Sequence, residues 1–331
     1  MKKIICCLLS VIFVSVMFVG CGNTDKNIVR INEVTHSVFY APFYVAIEKG
    51  YFKEEGLEIE LTNGGGSDAS MTALLSGSAD IILAGPETAI YTAQGKAKDT
   101  PLIFAQLTKR DGSLLMGRKE EKNFKWTDLK NKEIIAGRRG GSPAMSLEYA
   151  LNKNGLINGE NVTLNFDVQF NLTAAAFESG TGDYVTMFEP TASEYVRQGK
   201  AYIVASVGKE SGEVPFTCFM TKKTYLEKNN ERVEKFTRAL YKAIKYIKTE
   251  KVETVAKCLV EQFPSTALQS IVDSLETYKK IDAWNENLSM KKEAFDRLND
   301  VMINAGELEK KADYTQLVDN TFSNKIYKEL F

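Results

Sequence analysis

The sequence predicts an α/β body of two lobes, and three observations carry that prediction. Short apolar runs alternate with helical periodicity from residue 28 to about residue 221. Loops containing Gly or Pro separate the two patterns, as repeated βα units require. The length, 331 residues, suits about two domains, each with a core of its own.

Ile28 to Val34 reads as the first strand, and Pro42 stands at the first position of a helix that ends near Gly50. Leu57, Ile59 and Leu61 alternate, which predicts a half-buried strand opening into Asn63-Gly64-Gly65-Gly66-Ser67. A helix from Asp68 stops at Gly77; Ala79 to Ala84 is a buried strand, and a helix after Gly85-Pro86-Glu87-Thr88 stops at Gly95. Pro101 to Leu107 and Leu114 to Arg118 are further strands. The second series has strands at Glu133 to Ala136, Leu164 to Phe170, Tyr184 to Phe188, Ala201 to Val207 and Phe216 to Thr221. Between them lie the loop Gly137 to Pro143, a helix through Leu151, and a helix ending at Gly180 or Gly182. A long amphipathic helix begins at Asn230, with Val233, Phe236, Leu240, Ile244 and Ile247 on one face. Helices near 252–262, 265–280 and 290–304 complete the chain. Such βα units imply largely parallel sheets with helices on both faces.

Composition removes several function classes. Lys and Arg number 42 against 43 Asp and Glu, a net charge of −1, so nothing favours nucleic acid as a partner. The single His, His36, removes most zinc sites and most His-dependent triads, and no metal or cofactor is expected. No GxSxG, P-loop or HExxH pattern occurs. The expectation is a binding protein rather than an enzyme.

Residues 1–20 set the compartment. Lys2-Lys3 precede an apolar run from Ile4 to Val19 broken only by Ser10 and Ser15, the pattern of a signal peptide. Gly20-Cys21-Gly22-Asn23 follows and resembles a bacterial lipobox, with Phe18 where Leu is usual. Cys21 would then be lipidated and residues 21–27 would tether the body to the extracytoplasmic face of the cell membrane. An uncleaved anchor is the alternative, but the run is shorter than the roughly 20 residues a span needs. Cys6 and Cys7 leave with the leader, and Cys218 and Cys258 read as buried free thiols, unsuited by spacing to a metal or redox pair.

Three loops, 64–67, 85–88 and 137–143, each place Gly and a hydroxyl residue before a helix. In open α/β sheets ligands bind beyond the carboxyl ends of strands, where helix N-termini present unpaired N–H groups. Together the loops predict a polar cleft containing Gly66, Ser67, Glu87, Thr88, Arg138, Gly141 and Ser142.

The run Ser37-Val38-Phe39-Tyr40-Ala41-Pro42-Phe43-Tyr44-Val45-Ala46-Ile47-Glu48-Lys49-Gly50-Tyr51-Phe52 resembles the first helix region of periplasmic-type binding proteins of the SsuA/THI5-like (NMT1) family. Glu55-Gly56-Leu57-Glu58, the Gly64–Ser67 loop, Leu75-Ser76-Gly77-Ser78-Ala79-Asp80, Gly182-Asp183 and Phe188-Glu189-Pro190 extend the likeness over roughly residues 28–225. The resemblance implies a periplasmic-binding-protein-like (type II) fold and a monomer that delivers a small solute to an ABC permease and its ATPase. Lobe one would comprise 28–112 and 218–331, lobe two 113–217, with hinge strands near 108–118 and 207–221.

Family ligands include aminopyrimidine thiamine precursors, riboflavin, alkanesulfonates, nitrate and bicarbonate. Phe39, Tyr40, Phe43, Phe188 and Phe216 would offer flat walls for a planar ring. Glu87 and Glu189 would repel an anion and accept hydrogen bonds from a ring amine, although Glu87 also suits a helix dipole. Arg138 and Arg139 pull the other way, toward a sulfonate, nitrate or another small anion. His36 adjoins the first loop, as a ligand contact or with a local partner. The balance favours an aromatic heterocycle resembling a thiamine pyrimidine precursor. A pyrimidine synthase of the yeast THI5 type and a sensor reusing the fold are the alternatives, and the synthase's cysteine-rich motif has no counterpart here.

Overall fold

The computed structural model describes residues 27–95 and 99–331. The expected leader and Cys21 lie outside the described residues.

Among the described residues the strands, in chain order, are β1 (Ile28–Glu33), β2 (Glu58–Asn63), β3 (Ile81–Ala84), β4 (Pro101–Thr108), β5 (Leu114–Gly117), β6 (Glu133–Ile135), β7 (Thr163–Asn165), β8 (Tyr184–Met187), β9 (Tyr202–Ser206) and β10 (Thr217–Lys222). They form two five-stranded sheets, ordered β2-β1-β3-β10-β4 and β7-β6-β8-β5-β9. The chain therefore passes from the first sheet to the second between Thr108 and Leu114, and returns between Ser206 and Thr217.

The sheets are mixed, which corrects the expectation of largely parallel ones. β1 pairs in parallel with β2 and β3, and β6 with β7 and β8, whereas β10 runs antiparallel to β3 and β4, and β5 to β8 and β9. The reason is topological. β4 runs toward the interlobe face, so the chain enters lobe two at that face and β5 runs away from it. β9 runs back to the face, and β10 repeats the reversal in lobe one. Every other strand thus points its carboxyl end at the cleft.

Local chemistry explains the helix starts beside that cleft. Pro42 fits the first turn of the Ala41–Glu48 helix, where its missing N–H is no loss. The Ser67–Ser76 helix stops at Gly77 in the left-handed conformation (φ 83°), as a C-terminal glycine allows. The expected strand Leu164 to Phe170 is shorter: it ends at Asn165, whose side chain accepts the Asp167 N–H, and Phe170–Leu172 form a 3-10 turn. Short helices at Thr191–Arg197 and Val207–Ser211 extend lobe two. Beyond residue 304, Tyr314–Leu317 and Thr321–Leu330 add helices that the sequence reading did not contain.

The core of lobe one forms where the Asn230–Thr249 helix lays Val233, Phe236, Leu240 and Ile244 against Phe43, Phe52, Phe104 and Phe219. Lobe two buries Leu115, Ile134, Leu147, Leu151 and Tyr184. Met145 of lobe two joins a cluster with Ile90, Met290, Leu298 and Met302, so apolar packing also crosses between the lobes.

Candidate functional site

The cleft is closed. Ser142, at the start of the Ser142–Lys153 helix of lobe two, donates its hydroxyl to Glu87 Oε2 of lobe one at 2.6 Å. Tyr91 donates to the Gly140 carbonyl at 3.0 Å, and Arg138 meets Asp68 at 3.2 Å on the rim. On the other flank, Thr277 donates to Glu189 Oε1 at 3.1 Å, the Glu189 N–H donates to the Tyr278 hydroxyl at 3.1 Å, and Arg197 pairs with Asp273 at 2.6 Å.

Glu87 is 1% exposed. Its carboxylate folds back over the preceding turn: a Cβ on Gly85 would lie 2.1 Å from Oε2, so only glycine admits this arrangement. Burial pushes the Glu87 pKa up, against the Ser142 hydroxyl, its own N–H and the Arg138 charge, which pull it down. It therefore stands in the first turn of its own helix, where a negative charge is favoured, and faces the opposite lobe. Thr88 closes the same turn, donating to the Gly85 carbonyl at 2.7 Å, and Ser67 Oγ accepts the Gly85 N–H at 3.2 Å. Gly66 is the N-cap of the Ser67–Ser76 helix, and Gly141 is the N-cap of the Ser142–Lys153 helix.

Aromatic rings from both lobes form one wall. Phe39, capped by Ser37, sits 5.8 Å from Phe188 and 5.8 Å from Phe216, while Phe188 and Phe216 are 6.1 Å apart. Tyr278 lies 4.8 Å from Phe39, and Trp284 donates to the Phe39 carbonyl at 2.8 Å, fixing that turn. Tyr40 is buried beside Phe39 at 5.5 Å, and burial raises its hydroxyl pKa, with Glu33, Glu87 and Asp111 adding to the rise. At the rim Phe170, 47% exposed, packs on Phe188 at 5.8 Å.

Several expected site residues sit elsewhere. Phe43 is core, 5.4 Å from Phe219 and 6.0 Å from Phe52, because its helix turns that face inward. His36 is exposed but tied to lobe one: Nδ1 meets Glu33 Oε1 at 2.7 Å, Nε2 meets the Gln262 carbonyl at 2.8 Å, and the ring packs on Tyr44 and Phe263. Desolvation lowers the His36 pKa, but Glu33 and the Gln262 carbonyl outweigh it and leave the pKa raised. Arg138 pairs with Asp68 on the exposed rim, from where its charge still reaches Glu87, and Arg139 lies over the Phe166 ring at 4.1 Å. Glu189 is bound by Ser193 N–H, Ser193 Oγ and Thr277 Oγ1, which makes it a latch between lobes.

Sequence reasoning missed Asp111, Ser146, Tyr91 and Thr277. Asp111-Gly112-Ser113 carried a readable signal, an Asx-turn sequence at a predicted crossing between lobes. Cys218 pairs with Ala84 just before the Glu87 helix and is fully buried in the core, and burial raises its thiol pKa, so it is a residue of low reactivity. Among the described residues no group of three or more His, Cys, Asp or Glu could hold a metal ion.

Comparison with known proteins agrees with the fold. YtlA of Bacillus subtilis (strain 168) is 42% identical over 301 residues, covering 91% of this chain and 90% of its own. The alkanesulfonate-binding protein SsuA from Xanthomonas axonopodis pv. citri, solved bound to MOPS, superposes with a TM-score of 0.72 at 17% identity, over 90% of this chain and 100% of that one. The periplasmic nitrate-binding protein NrtA from Synechocystis PCC 6803 gives 0.70 at 13% identity, over 92% and 89%. The family model described as NMT1/THI5 like matches residues 38–253, and the chain belongs to that family.

Proposed function

We propose that this protein is a carrier rather than an enzyme: an extracytoplasmic solute-binding protein that closes over a small aromatic heterocycle bearing N–H donors and delivers it to an ABC permease and its ATPase. One observation carries the choice of ligand. Among the described residues the buried charged side chains are Glu33, Glu87, Asp111 and Glu189, all carboxylates. Glu33 is already met by His36 and Tyr44, and Glu189 by Ser193 and Thr277. At Glu87 and Asp111 a further buried anion is strongly disfavoured, whereas a ring amine would satisfy them. Similar structures are named for alkanesulfonate and nitrate. The buried carboxylates Glu87 and Asp111 argue against an anion here, and the aromatic wall from Phe39, Phe188 and Phe216 suits a flat ring.

The hinges of this reading are the two crossings, 109–113 and 207–216, and the ligand bridges both lobes, so release follows their opening. The body is monomeric, tethered through lipidated Cys21, and Cys21→Ala is expected to move it from the membrane fraction to the medium. No helix among the described residues is long and apolar enough to cross a membrane.

A thermal-shift screen tests the ligand class. The panel holds aminopyrimidines, flavins, alkanesulfonates and nitrate. A ligand that binds only the folded state stabilises it by about 2.7 kcal/mol at a hundredfold excess over Kd. A shift with an aminopyrimidine or flavin and none with the anions is expected. A shift with a sulfonate or nitrate alone would overturn the reading.

A further inference from the structure

One carboxylate oxygen at the cleft end of lobe one has no partner. Asp111 lies in the 109–113 crossing and is 1% exposed. Its Oδ1 accepts the Ser113 N–H at 2.6 Å, whereas Oδ2 is buried without a hydrogen bond. The adjacent Arg110 does not neutralise it, because that guanidinium turns to Glu213 at 3.3 Å and Asp282 at 3.9 Å. The hydroxyls of Thr108, at the end of β4, and Ser211, on the returning crossing, are also buried and unpartnered, while the Ser113 hydroxyl stands beside the Asp111 carboxylate and helps hold its pKa down. Buried acceptors left unpaired are destabilising unless a donor reaches them.

The crossing cannot easily relax to find a partner. A Cβ on Gly208 would lie 2.1 Å from the Asp111 carbonyl oxygen, and one on Gly112 would lie 2.6 Å from the Phe39 ring. Asp111 is thus clamped between the returning crossing and the aromatic wall. Ser146, whose hydroxyl serves Asp111, stands one helical turn after Ser142, which serves Glu87. Both carboxylates therefore meet one face of a single helix, and both, together with Glu33, raise the pKa of the Tyr40 hydroxyl.

We propose that Asp111 is a second recognition carboxylate of the cleft, its Oδ2 accepting an N–H from one edge of the same solute whose other edge meets Glu87. The solute then carries hydrogen-bond donors on two edges, as a diamino-substituted or ring-protonated heterocycle does. This rests on the heterocycle-binding reading above. The probes are 2,4-diaminopyrimidine and 4-aminopyrimidine, titrated calorimetrically into the wild type, Asp111→Asn and Glu87→Gln. Wild type is expected to prefer the diamino probe, and Asp111→Asn to weaken that probe by about tenfold or more while leaving the monoamine unchanged. Glu87→Gln is expected to weaken both. Asp111→Asn is nearly isosteric, and its melting temperature without probe at pH 8 is expected to be no lower than that of the wild type. Equal affinity of wild type and Asp111→Asn for the diamino probe would overturn this inference alone and leave the heterocycle reading standing. Equal loss of both probes together with a lowered melting temperature would mark Asp111 as structural and overturn it too. Failure of the wild type to bind either probe would overturn both readings.

Discussion

Glu87 owes its place to Gly85, and Asp111 to Gly208: each carboxylate residue occupies space that any side chain on the glycine would take. The two acids differ in what they receive. Glu87 has the Ser142 hydroxyl and the N-terminus of its own helix, so its charge is partly met. Asp111 has the Ser113 hydroxyl and N–H and the Ser146 hydroxyl, which together do not offset burial, and its pKa is pushed up to about 7. In the unfolded chain the same group titrates near 3.9. An acid whose folded pKa is raised favours the folded state at low pH, and that contribution is lost as pH rises from about 4 through about 7. The wild type is therefore expected to lose up to about 4 kcal/mol of stability over that window through this residue, and Asp111→Asn to flatten the curve. Urea unfolding at pH 4.5 and pH 8 checks this: parallel pH dependences in the two proteins would contradict it. A residue that weakens the free protein yet is held rigidly in place fits a binding role, where stability is given up for recognition.

At the scale of elements, the hinge is two crossings packed face to face, and the closest contact is backbone on backbone. Gly208→Ala is expected to force the 207–211 turn off the Asp111 carbonyl and to destabilise the protein by about 1–3 kcal/mol, read as a lower denaturant midpoint. The element pattern explains what could be read from residue order alone. Strands and helices in lobe one were legible because Gly50, Gly77 and Gly95 punctuate them, and the Asn230–Thr249 helix because its apolar stripe keeps one face. Strand direction was not legible: β5 and β10 have the apolar character of parallel core strands, and only the path of the chain between lobes reverses them. The Leu164–Phe170 run failed for a local reason, since Asn165 turns the chain after three strand residues. The site was half legible. Loop glycines and hydroxyls marked Ser67, Glu87 and Ser142, whereas Phe43, in the family-like run, packs into the lobe-one core, and His36, just before it, is taken up by Glu33 and the Gln262 carbonyl. Nothing in a linear pattern says which face of a buried helix meets the cleft.

For the whole molecule, closure is held by contacts on both flanks of the cleft. Glu87–Ser142, Tyr91–Gly140 and Arg138–Asp68 lie on one side, and Glu189–Thr277 and Arg197–Asp273 on the other. The exposed ion pairs contribute little, so the buried hydrogen bonds and the Met145 cluster dominate. Tyr91→Phe removes one such bond, worth about 1 kcal/mol, from the closed state only. Its ligand release is expected to be roughly fivefold faster with the association rate unchanged, measured by stopped-flow fluorescence. An unchanged release rate would mean that Tyr91 takes no part in holding the lobes together. The central claim is that one solute is gripped at once by both lobes and by the crossings between them. Hydrogen exchange with and without a saturating aminopyrimidine tests it most directly. Slowed exchange is expected in three places together: the start of the Glu87 helix, the 141–146 segment and the 109–113 crossing. Protection confined to one lobe, or centred on the groove of about 740 Å³ beside Tyr314 and Asp319, would contradict it.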